Sequence, residues 1–85
     1  MNELFKLLEE QAEKMKGLAI FISRAPSGDM RVQVNWTNAC KRGGDMILAF
    51  AEESNTEEAF KAACERLKKW IEEHKEEINE RIRYM

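Results

Sequence analysis

The chain has 85 residues, so we expect one domain, 1–85, with a small core. Hydrophobic residues make up 44% and charged residues 35%, which is the composition of a folding chain, and the net charge of −2 excludes a global positive field for nucleic acid or acidic membranes. Glutamates interrupt any apolar run at the N-terminus, and no stretch approaches the roughly 20 apolar residues of a membrane span. We therefore expect a cytoplasmic protein without membrane contact.

The first predicted element is an amphipathic helix over residues 2–16. Asn2 is a suitable N-cap, because its side-chain oxygen can accept a hydrogen bond from the first helical turn. Apolar residues recur at helical spacing, beginning with Leu4 and Leu8. Gly17 is the predicted helix stop, since glycine enters the left-handed conformation without steric cost.

From Leu18 the hydrophobic period changes from helical to alternating, with Phe21 facing away from its apolar neighbours. Turn-forming residues at 25–29 and a second alternating run at 31–36 predict a β-hairpin. A third and more apolar strand is predicted over residues 46–51. Its expected core residues are Met46, Leu48 and Phe50.

The last predicted element is a helix that could run without interruption from about residue 56 to 83. Asn55, with Glu58 three residues later, fits a capping box. At 1.5 Å per residue the helix would be about 40 Å long, and it would project beyond strands of about 20–24 Å. The projecting part, 72–85, could form a symmetric homodimer, fray or bind another protein. Its expected interface is the stripe formed by Ile71, Ile78 and Ile82.

This order of elements predicts an α+β fold, α-β-β-β-α, with two helices on one face of a three-stranded antiparallel sheet. At the start of the last helix the sequence reads Asn55-Thr56-Glu57-Glu58-Ala59-Phe60-Lys61-Ala62-Ala63-Cys64-Glu65-Arg66-Leu67. The chain resembles the double-stranded-RNA-binding domain, which reads approximately Ser-Lys-Lys-Glu-Ala-Lys-x-Ala-Ala-Ala-x-x-Leu there. The cap, Glu58, the small residues and Leu67 match, so the resemblance implies that family's fold.

The RNA-binding lysines of that family correspond to Thr56, Glu57 and Phe60 in this sequence. A carboxylate beside phosphates repels them, and affinity for duplex nucleic acid depends largely on phosphate neutralisation. The sequence therefore predicts no strong binding to duplex RNA.

No residue pattern indicates catalysis, a metal site or a cofactor. Cys40 lies beside Lys41 and Arg42 in a predicted loop, where adjacent cations favour a thiolate. Nucleophilic catalysis would also need a base, and the one histidine, His74, lies in a charged run of the last helix. We expect no enzymatic activity, a reactive thiol at Cys40 and a buried thiol at Cys64.

Two helices on one side of the sheet would leave its other side open. Phe21 would lie there together with Arg31, Gln33 and Asn35, and Ala19, Ile47 and Ala49 could join them. Such a mixed patch suits a protein interface, and the alternative is a solvated sheet face. The predicted binding residues of the sheet and loop are Phe21, Arg24, Arg31, Gln33, Asn35, Lys41 and Arg42.

Two functional hypotheses follow. The first is a non-enzymatic protein-protein interaction module, similar in size and acidity to phage or mobile-element proteins that bind and modulate a host complex. The second is a nucleic-acid-binding domain, because residues 18–51 carry a local excess of two positive charges and form the mildly basic part of the chain.

Overall fold

The structure, a computed structural model, describes residues 2–37 and 44–83, with the side chains of residues 80–83 left out. The predicted α+β fold and its α-β-β-β-α order are confirmed. The elements are α1 (Glu3–Gln11), β1 (Leu18–Arg24), β2 (Met30–Trp36), β3 (Met46–Glu53), α2 (Thr56–Glu73) and α3 (Lys75–Arg83).

The sheet is antiparallel with the strand order β1-β2-β3, so β2 is central and β1 and β3 are edges. Val32, Val34 and Trp36 of β2 are fully buried and face the helices. They form one apolar cluster with the buried side chains of the helices, among them Leu4 of α1 and Leu67 of α2. Burial of this cluster holds the helices on one face of the sheet.

A β-bulge reverses the facing of β3. Val34 pairs with Ala49 whereas Asn35 pairs with Ile47, so Leu48 is the extra residue on the β3 side. Leu48 and Ala49 are consequently both buried. The predicted core role of Leu48 is confirmed and Met46 packs at the edge of the core, but the prediction for Phe50 is wrong, because Ala51 takes the buried position beyond the bulge.

The helix α1 is shorter than predicted and ends at Gln11 rather than at residue 16. Asn2 is its N-cap as expected, since the Asn2 side chain accepts a hydrogen bond from the Leu4 N–H at 2.8 Å. Residues 12–16 turn instead of continuing the helix, which buries Met15 and lets the Lys16 carbonyl accept a hydrogen bond from Trp36 Nε1 at 3.0 Å. Gly17 therefore precedes β1 and is not a helix stop.

The helix α2 packs closely on β2 and β3 because its contact face is built from small residues. Asn55 is the N-cap as predicted, and its Oδ1 accepts a hydrogen bond from the Glu58 N–H at 2.8 Å. Ala59 and Ala63 are fully buried in the same cluster as Ala51. Side chains of this size let the helix approach the sheet and shelter the inner face of β3.

The predicted uninterrupted helix over 56–83 is wrong, because the helix bends at His74. The His74 backbone has φ −121° and ψ 24°, outside the helical region. Its ring Nδ1 lies 2.8 Å from the Trp70 carbonyl oxygen, which also accepts the His74 backbone N–H at 3.0 Å. A side chain that competes for an i−4 carbonyl is an established cause of a helix bend.

One residue of α3 reaches the core. Ile78 is only 4% exposed and belongs to the apolar cluster, and Ile71 packs against it. The expectation that Ile71, Ile78 and Ile82 form a solvent-exposed stripe is therefore wrong for Ile78, while the side chain of Ile82 lies outside the described residues. A homodimer formed through this stripe would have to pull Ile78 out of the core.

Among the helices that the structure describes, none combines the length and the apolar character needed to cross a lipid bilayer.

Candidate functional site

The face of the sheet that points away from the helices, here called the outer face, carries the candidate site. The strand register arranges it in three cross-strand rows. From the hairpin end, the rows are Ser23–Arg31–Glu52, Phe21–Gln33–Phe50 and Ala19–Asn35–Ile47. Side chains directly opposite one another across antiparallel strands are close enough to touch, so each row acts as a unit.

Three large apolar side chains of the outer face reach solvent, one from β1 and two from β3. Phe21 is 51% exposed, Ile47 is 58% exposed and Phe50 is 44% exposed. Phe21 and Phe50 lie on either side of Gln33, which is half-buried between them. The outer face thus presents a ring from β1, the Gln33 amide from β2, and a ring and an isoleucine from β3.

The polar groups of the outer face are bonded to one another. Gln33 donates from Nε2 to Asn35 Oδ1 at 2.9 Å, and Asn35 is buried. Arg31 pairs with Glu52 across the strands, with Arg31 Nε 2.5 Å from Glu52 Oε1. This exposed pair contributes little to stability, but it leaves the hairpin end of the face electrically neutral.

The structure unites four of the predicted binding residues on the outer face and places a fifth, Arg24, at the hairpin turn. Phe21, Arg31, Gln33 and Asn35 share the outer face, whereas Arg24 lies at the hairpin turn, where its Nη1 donates to the Gly28 carbonyl at 3.4 Å. Lys41 and Arg42 lie outside the described residues. Of the predicted basic residues, the structure therefore describes two, Arg31, which is paired with Glu52, and Arg24, which bonds to the hairpin turn.

Sequence reasoning missed Phe50 and misplaced Ala49. Strict alternation along β3 puts Phe50 in the core and Ala49 outside, and the bulge at Leu48 exchanges them. Ile47 lies on the outer face as considered from the sequence. The sequence carried one indication that Ala49, and not Phe50, faces the core. Ala49 and Ala51 are small enough for close contact with a helix.

A second feature is the cleft between the start of α1 and α2, which encloses about 320 Å³. Its lining residues are Asn2, Glu3, Leu4, Glu57, Phe60, Lys61 and Cys64. Burial raises the pKa of the Cys64 thiol, the positive charge of Lys68 opposes that rise, and the carboxylates of Glu3 and Glu65 add to it. Cys64 is a poor nucleophile in this setting.

The aromatic residues near the bend are used for packing. Trp70 meets Trp36 edge-on at a centroid distance of 6.3 Å and stacks on the His74 ring at 4.4 Å. His74 is therefore half-buried, although it lies in a charged run of the sequence. In residues 2–37 and 44–83, histidine, cysteine, aspartate and glutamate side chains form no group of three or more that could hold a metal ion. Cys40, the other thiol of interest, lies outside the described residues.

Comparison of the chain with protein families, curated proteins and solved structures finds no match. The relationship to the double-stranded-RNA-binding domain stays a prediction from the sequence.

Proposed function

We propose that this chain is a non-enzymatic protein-protein interaction module that binds its partner on the outer face of the sheet. The supporting observation is the row Phe21–Gln33–Phe50, whose two rings are each about half exposed on the outer face, which also carries the exposed Ile47. Aromatic residues are enriched and charges are depleted at the centres of protein interfaces. Several large apolar side chains exposed on one face of a sheet favour an interaction site over a solvated surface.

The outer face is also suited to binding because it is built on regularly paired strands backed by the core. Its side chains project from three paired strands whose opposite face is the fully buried core of Val32, Val34 and Trp36. A partner would therefore lose little free energy to ordering this surface. Because Arg31 is neutralised by Glu52, the partner that fits is a largely apolar protein surface with polar groups at its rim, and not a strongly charged one.

The wider role that we propose is modulation of a larger complex, as small phage or mobile-element proteins do. Size and acidic character support it, together with a binding face that occupies one side of an 85-residue chain. The proposal of no enzymatic activity is supported by the buried Cys64 and by the His74 ring, which is engaged with Trp70.

The test begins with affinity capture from the source cell, using the parent, an Ile47→Ser/Phe50→Ser variant and Lys69→Ser as control. Both outer-face residues are exposed, so the double variant should keep the fold, which circular dichroism checks. Lys69 is exposed on α2, away from the sheet. We expect a partner that the parent and Lys69→Ser retain and the double variant loses.

The captured partner is then purified and its affinity measured by calorimetry. We expect the dissociation constant to rise at least about tenfold in the double variant, because the few buried residues that dominate an interface each cost about 1 kcal/mol or more when truncated. The heat capacity change on binding to the parent should be negative, as for burial of apolar surface. Equal affinity of all three proteins would place the interface elsewhere.

A nucleic-acid-binding function is the second candidate, favoured by the exposed rings of Phe21 and Phe50, on which unpaired bases could stack. The pairing of Arg31 with Glu52 weakens it, since phosphate contacts supply most of the affinity. Fluorescence anisotropy with single-stranded and duplex RNA at two salt concentrations separates the hypotheses. We expect no binding at low micromolar protein, and a steep salt dependence with loss in Phe21→Ala would favour the alternative.

A further inference from the structure

The two edges of the sheet are protected to different degrees. On β3, Arg66 of α2 donates from its guanidinium to the Phe50 backbone carbonyl, and the bulge at Leu48 interrupts the strand. On β1, all seven residues pair with β2 without a register shift. Charged residues and bulges are the usual devices that prevent a sheet edge from pairing with another strand. β3 has both devices, whereas β1 has a single charged residue, Arg24, at its end.

The hydrogen-bond phase of β1 shows which backbone groups face its free edge. Thr37 N–H donates to the Gly17 carbonyl at 3.0 Å, and Ala25 N–H donates to the Asp29 carbonyl at 2.7 Å. Bonded pairs alternate along an antiparallel ladder, so the odd-numbered residues of β1 bond to β2. The even-numbered residues then point their N–H and C=O groups away from β2, to the edge here called the free edge because no backbone group of residues 2–37 or 44–83 bonds to it. These residues are Leu18, Ile20, Ile22 and Arg24.

At the centre of β1, one apolar side chain on each face of the sheet is about half exposed. Ile22 is on the helix-facing side, opposite the fully buried Val32, yet it is 47% exposed. Phe21, the middle residue of the strand, is 51% exposed on the outer face. A single strand added along this edge would cover both of them, which a partner on the outer face alone would not do.

We propose that β1 pairs antiparallel with β1 of a second copy of this chain, about a two-fold axis at Phe21, so that two sheets join into one of six strands. This arrangement places Ile20 opposite Ile22 of the other copy and Leu18 opposite Arg24. Each of these four residues points its N–H and C=O groups to the free edge. Opposite residues of the two copies can therefore exchange the two hydrogen bonds of a bonded pair. The inference is independent of whether the outer face binds another protein.

The symmetric register also matches side chains. Phe21 meets its own counterpart in a non-hydrogen-bonded pair, where cross-strand side chains are closest and aromatic pairs stabilise a sheet. Ile20 and Ile22 form apolar pairs on the helix-facing side. Because the strands are antiparallel, the two Arg24 side chains lie about 20 Å apart, at opposite ends of the paired strands, whereas parallel pairing would put them together.

Sedimentation velocity on the purified full chain tests the proposal. We expect the parent to dimerise with concentration, and Phe21→Lys to raise the dimer dissociation constant about tenfold or more, because like charges then meet at the axis. Ile22→Pro should act in the same direction, since it removes a free-edge N–H and no bond to β2. Asn79→Lys, which adds the same charge at an exposed position of α3, should leave the dimer unchanged.

A charge-swap mixture tests the position of the axis. Phe21→Lys and Phe21→Glu should each dimerise at least about tenfold more weakly than the parent when alone, and should dimerise more tightly when mixed, because opposite charges then meet. Phe21 is exposed, so both variants should fold, which circular dichroism checks. The proposal is overturned by a parent that stays monomeric at its highest soluble concentration. It is equally overturned by a dimer that ignores Phe21→Lys, or by variants that fail to dimerise when mixed.

Discussion

Gly17 and Gly28 both have positive φ, 91° and 96°, but their surroundings differ. A Cβ on Gly17 would collide with Thr37 Oγ1, whereas a Cβ on Gly28 would meet nothing within 4 Å. We expect Gly28→Ala to lower the free energy of unfolding by about 1–2 kcal/mol, the backbone cost alone. Gly17→Ala should cost at least about 1 kcal/mol more, because Thr37 must also move.

Urea denaturation of a double-mutant cycle isolates the steric part of that prediction. Thr37→Ala removes Oγ1, which donates to the Gly17 carbonyl at 2.6 Å, so it should destabilise the parent. In the Gly17→Ala background the same substitution also relieves the collision and should cost less. Additive effects of the two substitutions would show that Gly17 is constrained by its φ alone.

Cys64 predicts a pH dependence of stability. Burial is the main cause that raises the pKa of its thiol in the folded state. The folded chain therefore keeps this proton at pH values where the unfolded chain releases it, around and above the usual thiol pKa of about 8.5. Stability should fall as pH rises through that range.

The control for this prediction is Cys64→Ala, which should lose that component of the alkaline decline while being less stable at neutral pH. Urea denaturation of both proteins at neutral and alkaline pH measures it. The Cys64 thiol, only 3% exposed, should react with a maleimide on unfolding and resist it in the native chain. Parallel pH curves for parent and variant, together with rapid native labelling, would mean that Cys64 is accessible.

Among the helices and strands, α3 is the one whose packing depends on the bend at His74. The bend allows Ile78 to reach the core, where it is 4% exposed. We expect Ile78→Ala to destabilise the chain by about 2 kcal/mol or more, the lower part of the range for buried isoleucine, because α3 packs at the end of the core. Asn79→Ala, at the exposed neighbouring position, should change stability by less than about 0.5 kcal/mol.

Thermal and urea denaturation of the two variants test this arrangement. Equal stability of Ile78→Ala and Asn79→Ala would mean that α3 projects into solvent, as the uninterrupted sequence pattern suggested. The same result would restore the isoleucine stripe as a candidate dimer surface.

Local signals predicted the elements better than their facing. Asn2 and Asn55 were recognised as caps because a cap depends on a single side chain and the turn that follows it. The orientation of Phe50 could not be read from β3, because a bulge depends on how two strands pair. The bend at His74 likewise arises from a ring that binds its own helix, which glycine and proline patterns do not reveal.

For the whole molecule, the order of elements was enough to predict the α+β fold, since amphipathic helices must cover one face of a small sheet to bury a core. The same reasoning placed Phe21, Gln33 and Asn35 on the open face. It missed the second ring that makes this face a candidate binding surface. Function is harder to predict from the sequence than the fold, because a binding face depends on the exposure of several strands together and carries no sequence motif.

The sheet is asymmetric, because its two edges differ in protection and only one of its faces is covered by helices. The β3 edge is the more protected one, because Arg66 bonds to the Phe50 carbonyl and the bulge interrupts the strand, and the helices cover the inner face. Phe21 belongs to both the β1 edge and the outer face, because it projects from this edge strand on the outer face, where it is 51% exposed. Association through the edge would therefore bring two outer faces into one larger continuous surface, with Phe21 near its centre.

The claim that the outer face binds protein is tested most directly by site-specific photo-crosslinking in the source cell. A benzoyl-phenylalanine replaces Phe50 in one protein and the exposed Lys69 of α2 in a second. We predict that position 50 forms a covalent adduct with one defined protein and that position 69 does not. Absence of an adduct at position 50, or the same adduct in equal yield at both positions, would contradict the claim.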